Sequence, residues 1–161
     1  MINLIVCVDH DWGIGINGGE LFDISQDKMF FKNKTINNAI VMGRKTLDAL
    51  PDGNALPDRV NIVLTRDKNF KRENVIVCHS VDEALKEIEK YPETFVIGGG
   101  EVYRELLPYC QRAYVTKVDD HKTADTHMVN LDKESDWKLV NETKDFLQDE
   151  FNYRFTVYER A

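Results

Sequence analysis

Six short apolar runs constrain this chain more than any other feature: INLIVCV (2–8), AIVM (39–42), VNIVL (60–64), VIVC (75–78), TFVI (94–97) and AYVTKV (113–118). The early ones are nearly continuous rather than alternating, the pattern of central strands covered on both faces. Helical patterns lie between them. Val81, Leu85 and Ile88 form one stripe, and Val102 with Leu106 and Tyr103 with Leu107 form i,i+4 pairs that Pro108 ends. Near the C-terminus Phe151, Tyr153, Phe155 and Val157 alternate with other residues, which predicts a half-exposed antiparallel strand. Together these give an α/β fold, a three-layer sandwich on a mixed, mostly parallel sheet with an antiparallel C-terminal strand. With no repeat, low-complexity tract or linker, residues 1–161 read as one domain.

A formal net charge of −7 argues against a nucleic-acid or anionic-membrane partner, but leaves room for small anions that sense local charge. Cys7, Cys78 and Cys110 are odd in number, far apart and without a CxxC, so they read as reduced thiols of a cytoplasmic protein. No apolar run approaches the length of a membrane span. The Asn33 and Asn141 sequons are therefore read as chance matches. The four histidines lack metal-ligand spacing, and no metal is expected.

Two glycine clusters look alike and differ in context. GIGING (13–18) matches the dinucleotide fingerprint, but that motif must open a helix, and Asn17-Gly18-Gly19 signals a turn instead. It reads as a glycine-rich lid loop after the first strand. IGGGEVYRELL (97–107) is the better anion candidate, a strand running through three glycines into a helix start with free amides. VMGRKT (41–46) and VLTRD (63–67) also end strands, with Arg44, Lys45, Thr65 and Arg66 at the junctions. Ligands of α/β sheets bind beyond the carboxyl ends of the strands. Four such ends describe a site for a polyanionic cofactor.

The stretch ISQDKMFFK (24–32) puts a carboxylate one helical turn from Phe31, on the same face. Two readings stay open on these residues alone. Ser25 caps the helix and Asp27 merely answers the dipole, or Asp27 is carried into a pocket wall, where an ion needs hydrogen-bonding partners.

The order and spacing of the opening strand, the GIG loop, this Asp, VMGRKT, LPDRVNIVLT, VIGGGEVY, AYVT and ADTH resemble the dihydrofolate reductase family over essentially the whole chain. The resemblance implies an eight-stranded sheet with about four flanking helices, one chain acting as a monomer, and NADPH as cofactor. It implies reduction of 7,8-dihydrofolate to tetrahydrofolate, and binding of antifolate inhibitors. Asp27 is similar to the family's sole ionisable group facing the pterin ring, and Thr116 to the threonine that supports it. Ile5, Cys7, Phe31, Leu50, Leu56 and Ile97 are similar to the walls around the substrate's rings, with Lys28 beside its tail. Arg59 resembles the arginine that grips the tail's α-carboxylate.

On the cofactor side the resemblance implies contacts from Cys7, Thr46, Tyr103 and the lid residues Gly13, Ile14, Gly15, Ile16, Asn17, Gly18 and Gly19. It adds Gly98, Gly99, Gly100, Glu101 and Val102, with a cis peptide at the matching Gly-Gly. Arg44, Lys45, Thr65, Arg66 and His79 are similar to groups around the adenosine and its 2′-phosphate. Asp125 matches an acidic residue that the family couples to the lid. The chain departs from the family at Leu21 and Phe22, where proline and tryptophan are usual, and at Lys28. Phe22 keeps an aromatic wall at the catalytic centre but lacks the indole N–H. The competing expectations are the fold-sharing reductase of riboflavin biosynthesis and a folate- or nucleotide-binding module without catalysis.

Overall fold

The computed structural model describes residues 1–161. Six parallel strands make its centre: β1 (Ile2–Val8), β4 (Ala39–Gly43), β5 (Val60–Leu64), β6 (Val75–Cys78), β7 (Thr94–Gly98) and β8 (Arg112–Val118). They stand side by side in the order β8-β1-β7-β4-β5-β6. The antiparallel β12 (Phe151–Arg160) pairs with β8, and β10 (Trp137–Glu142) lies outside it, which completes eight strands. A short ninth, β11 (Phe146–Gln148), pairs with the start of β12.

The near-continuous apolar runs are explained by two cores, one on each face. Neighbours in one strand go to opposite sides: Leu4 and Val6 to one core and Ile5 to the other, Val41 to the first and Ile40 and Met42 to the second. Helices α3 (Val81–Ile88) and α4 (Gly100–Leu106) cover the first face through Ala84, Ile88, Val102 and Leu106. Helices α1 (Ser25–Thr35) and α2 (Arg44–Ala49) cover the second through Phe30, Phe31 and Leu47. These are the three layers.

Two expectations need correction. The 13–19 segment is no loose loop: β2 (Gly13–Ile16) and β3 (Gly19–Glu20) form a hairpin that pairs with β9 (Thr126–His127). Asn17 and Gly18 both adopt left-handed backbone, φ 52° and 79°, as a tight two-residue turn requires. Nor is β12 simply half-exposed. Tyr153 is buried on the alternating face, while Thr156 and Tyr158 are buried on the other, Tyr158 edge-on to Trp12. A core on each side of the sheet claims both faces of that strand.

Candidate active site

Two cavities open at the carboxyl ends of the parallel strands. One, of about 840 Å³, follows the ends of β4, β5 and β6 and the starts of α2, α3 and α4. Its walls carry Arg44, Lys45, Thr65, Arg66, His79, Gly100, Glu101 and Val102. Neither α2 nor α4 has a side chain capping its first turn, so backbone amides there remain free to meet an anion. Arg44 stacks over Phe70 at 4.9 Å and pairs with Asp67 at 3.0 Å and Asp48 at 3.8 Å. His79 Nδ1 lies 3.0 Å from the Thr65 carbonyl. This donor set fits a dinucleotide diphosphate with a further phosphate on its ribose.

The second cavity, of about 680 Å³, lies against β1, β7, α1 and α2. Ile5, Cys7, Phe31, Leu50, Leu56 and Ile97 supply apolar wall, with Asp27 and Lys28 on the helix side. The cavities share Ile14, Gly18, Thr46 and Gly99, so they form one continuous site of a cationic arm and an apolar arm.

Asp27 is placed by α1 and held from the sheet. Thr116 Oγ1 donates to its Oδ1 at 2.6 Å. Burial pushes its carboxyl above the ordinary range, while the hydrogen bonds from Thr116 and the Cys7 thiol pull the other way and Glu20 adds to the rise. Burial also pushes the Cys7 thiol well up, reinforced by Asp27 and Glu20. Cys7 is therefore an inert wall, not a nucleophile. Ser25 is the first helical residue and not the cap, while Asp27 does lie in the first turn, where the helix dipole favours its charge.

The peptide between Gly98 and Gly99 is cis. Gly98 has φ 126°, and a Cβ there would press on the Tyr103 ring at 3.3 Å. Tyr103 is itself buried, its hydroxyl 2.8 Å from the carbonyls of Ile5 and Ile97, and it borders the apolar arm rather than the cationic one. Gly15 lines the cationic arm and Gly19 the apolar one.

Six expected residues border neither cavity. Thr116 acts from behind Asp27. Gly13 and Ile16 serve the hairpin: a Cβ at Gly13 would stand 2.8 Å from that of Ala124. Asn17 donates its amide to Asp125 Oδ2 at 2.9 Å, which ties the hairpin to the β8–β9 loop and holds the Asp125 carboxyl below its usual range. Phe22 borders neither cavity directly. It is buried among Leu21, Ile24, Val118 and Tyr153 and packs edge-on against Phe151. Arg59 donates from Nη1 to Thr35 Oγ1 at 3.2 Å and from Nε to the Pro57 carbonyl at 3.0 Å, and no carboxylate of the protein pairs with it.

Lys28, at the mouth of the apolar arm, is paired rather than free. It pairs with Asp23 at 2.8 Å and Glu20 at 3.5 Å. The sequence reading also missed Ser80, Glu105 and Thr126 on the cationic arm, and Val6, Glu20, Ala49 and Pro51 on the apolar one. Ser80 was findable: Ser80-Val81-Asp82-Glu83 is a capping signature, and Ser80 Oγ accepts from the Glu83 amide at 3.1 Å.

A parallel sheet whose strand ends carry a cleft with three cationic side chains, joined to an apolar cavity with one buried carboxyl, is the architecture of a nucleotide-binding enzyme. The family model described as "Dihydrofolate reductase" matches residues 1–160. Dihydrofolate reductases from Staphylococcus haemolyticus and Bacillus subtilis are 40% and 35% identical, each over 99% of this chain and 95% of the relative. A solved dihydrofolate reductase from Enterococcus faecalis, complexed with NADP(H) and RAB-propyl, superposes with a TM-score of 0.92 at 32% identity, over 100% of this chain and 96% of that one. The chain belongs to the dihydrofolate reductase family.

Proposed function

We propose that this chain reduces 7,8-dihydrofolate to 5,6,7,8-tetrahydrofolate with NADPH, working as a monomer in the cytoplasm and open to antifolate inhibitors of the substrate cavity. The observation that carries the proposal is the pairing of the two arms. The cationic cleft suits a dinucleotide bearing an extra phosphate, and it shares walls with a cavity whose one buried acid is Asp27.

NADPH, when held by Arg44, Lys45, Thr65, Arg66 and the free amides of α2 and α4, supplies the hydride that reduces pterin C6. The protein's own work is to hold two planar rings in contact, an effect of proximity and orientation. Asp27 accepts hydrogen bonds from the pterin's 2-amino group and N3. Its anion favours a proton on N5, drawn from water, without touching N5 itself. Thr116 fixes the carboxylate's direction through its short bond. Ile5, Phe31, Leu50, Leu56 and Ile97 exclude water from the ring faces, which strengthens that field. Arg59, without an acidic partner of its own, takes the α-carboxylate of the glutamate tail.

No helix is long and apolar enough to cross a membrane. The test is the fall in NADPH absorbance on mixing with dihydrofolate, run beside NADH. Turnover with a clear preference for NADPH supports the proposal. Binding of both ligands without turnover would leave a binding module, and turnover of a ribosylaminopyrimidine instead would make it the riboflavin-pathway reductase.

A further inference from the structure

Helix α1 presents Asp27 as its third residue, yet no neighbouring side chain closes its start. The cap position is Ile24, extended in backbone and 2% exposed, with no side-chain hydrogen bond to the first turn. A polar residue there ordinarily accepts from the open amides.

Here the acceptors come from more than a hundred residues downstream. The Ser25 amide and Oγ both donate to Asp149 Oδ2, at 3.2 and 3.4 Å, and the Gln26 amide donates to Gln148 Oε1 at 2.7 Å. The Tyr153 hydroxyl closes on the Gln26 side chain. Gln148 and Asp149 sit at the turn from β11 to β12, where Asp149 and Glu150 both take left-handed backbone, φ 53° and 70°. Such a turn fixes the direction of its side chains.

A second fastening lies beside the first. The Lys122 ammonium is 5.0 Å from the Phe22 ring and 5.1 Å from the Phe151 ring, and it donates to the Leu21 carbonyl at 3.3 Å. The chain entering α1 is thus held by the β11–β12 turn and the β8–β9 loop together.

We infer that the β11–β12 turn caps helix α1 from a distance, making Asp149 and Gln148 positioning residues for the Asp27 carboxylate. This rests on the proposed role of Asp27. A helix start carries unsatisfied amides and is where a helix frays. Asp27 lies within that first turn, and its 2.6 Å bond to Thr116 survives little displacement. The titratable groups facing Asp27 are Cys7 on β1, Glu20 on β3, Tyr103 on α4 and Tyr153 on β12, with Lys28 and Asp23 beside it along the chain. Losing the cap lets Asp27 move away from Thr116 and weakens its hold on the pterin.

The experiment follows single-turnover hydride transfer against pH for wild type, Asp149→Ala, Asp149→Asn, Gln148→Ala and Asp27→Asn, with the Kd of NADPH and thermal unfolding measured alongside. Asp149→Ala should slow transfer about 3- to 10-fold at neutral pH, the scale of a lost cap. The midpoint of its rate–pH curve should move to lower pH, so the deficit shrinks in acid, while the Kd of NADPH stays within about twofold. Asp149→Asn keeps the acceptor and should recover most of the rate. Gln148→Ala, which spares the left-handed residues of the turn, should act in the same direction as Asp149→Ala. A lower melting temperature with an unshifted rate–pH curve overturns the inference, as does an Asp149→Asn variant as slow as Asp149→Ala. An Asp27→Asn variant with undiminished transfer brings down the role of Asp27 itself, and the inference with it. A slow Asp27→Asn beside an unaffected Asp149→Ala brings down the inference alone.

Discussion

Cys7 and Thr116 stand opposite each other, in register, on the neighbouring parallel strands β1 and β8, and both side chains turn toward the carboxylate of Asp27. The sheet thus supplies one hydrogen-bond donor, Thr116, and a thiol neighbour, Cys7, to an acid carried by a helix. Thr116→Val should remove that donor and cost about 10- to 100-fold in hydride transfer, the worth of a hydrogen bond to a charged group. In an Asp27→Asn background the same change should cost almost nothing, because the pair acts as a unit. Equal losses in both backgrounds would mean that Thr116 works on something other than Asp27.

The raised carboxyl of Asp27 has a signature in stability. Its folded pKa lies above the unfolded value, so its contribution is fully present below about pH 3.9 and is lost as pH rises through the folded value. Asp27→Asn should therefore stabilise the protein at neutral pH, by about 0.5–2 kcal/mol. Urea unfolding at several pH values should show the gain shrinking toward acid. A variant less stable than wild type at neutral pH would mean that the carboxylate's partners outweigh its burial.

Arg59→Leu should raise the KM for dihydrofolate far more than it lowers kcat, since a grip on a remote carboxylate is uniform across the reaction. Breaking such a pair costs about 2–5 kcal/mol. An unchanged KM would detach Arg59 from the folate tail.

Replacing Arg66 or Arg44 by Gln should weaken NADPH by about 10- to 100-fold and NADH much less. Arg44 already pairs with Asp67 and Asp48, so Arg66, which has no such partner, should show the larger effect. Titration of each variant with both cofactors reads the difference directly, and equal losses would show that these residues do not face the extra phosphate.

What the sequence makes legible is what local pattern and strand-end chemistry control. The two-faced strands, the stops at Pro108 and Gly18, and the clustering of Arg44, Lys45, Thr65 and Arg66 all follow from short-range rules. The family resemblance adds Asp27, Thr116 and the substrate walls. What stays hidden is set by contacts distant in sequence. Phe22 looks like a wall until Phe151 and Lys122 claim its ring. Lys28 reads only as a neighbour of the substrate's tail, and its pairs with Glu20 and Asp23 appear only in the fold. Ser25 has the chemistry of a cap, but buried Ile24 takes the cap position and Asp149 supplies the acceptor.

The most direct test of the account is hydride transfer by single turnover, from acid to neutral pH, in wild type and Asp27→Asn. If the buried anion promotes the proton on N5, the variant should bind dihydrofolate yet lose about 10²–10⁴-fold in rate at neutral pH. That deficit should close as pH falls and solvent protonates the substrate unaided. Parallel pH curves, or a loss below about tenfold, would contradict the central claim and leave Asp27 a structural residue of helix α1.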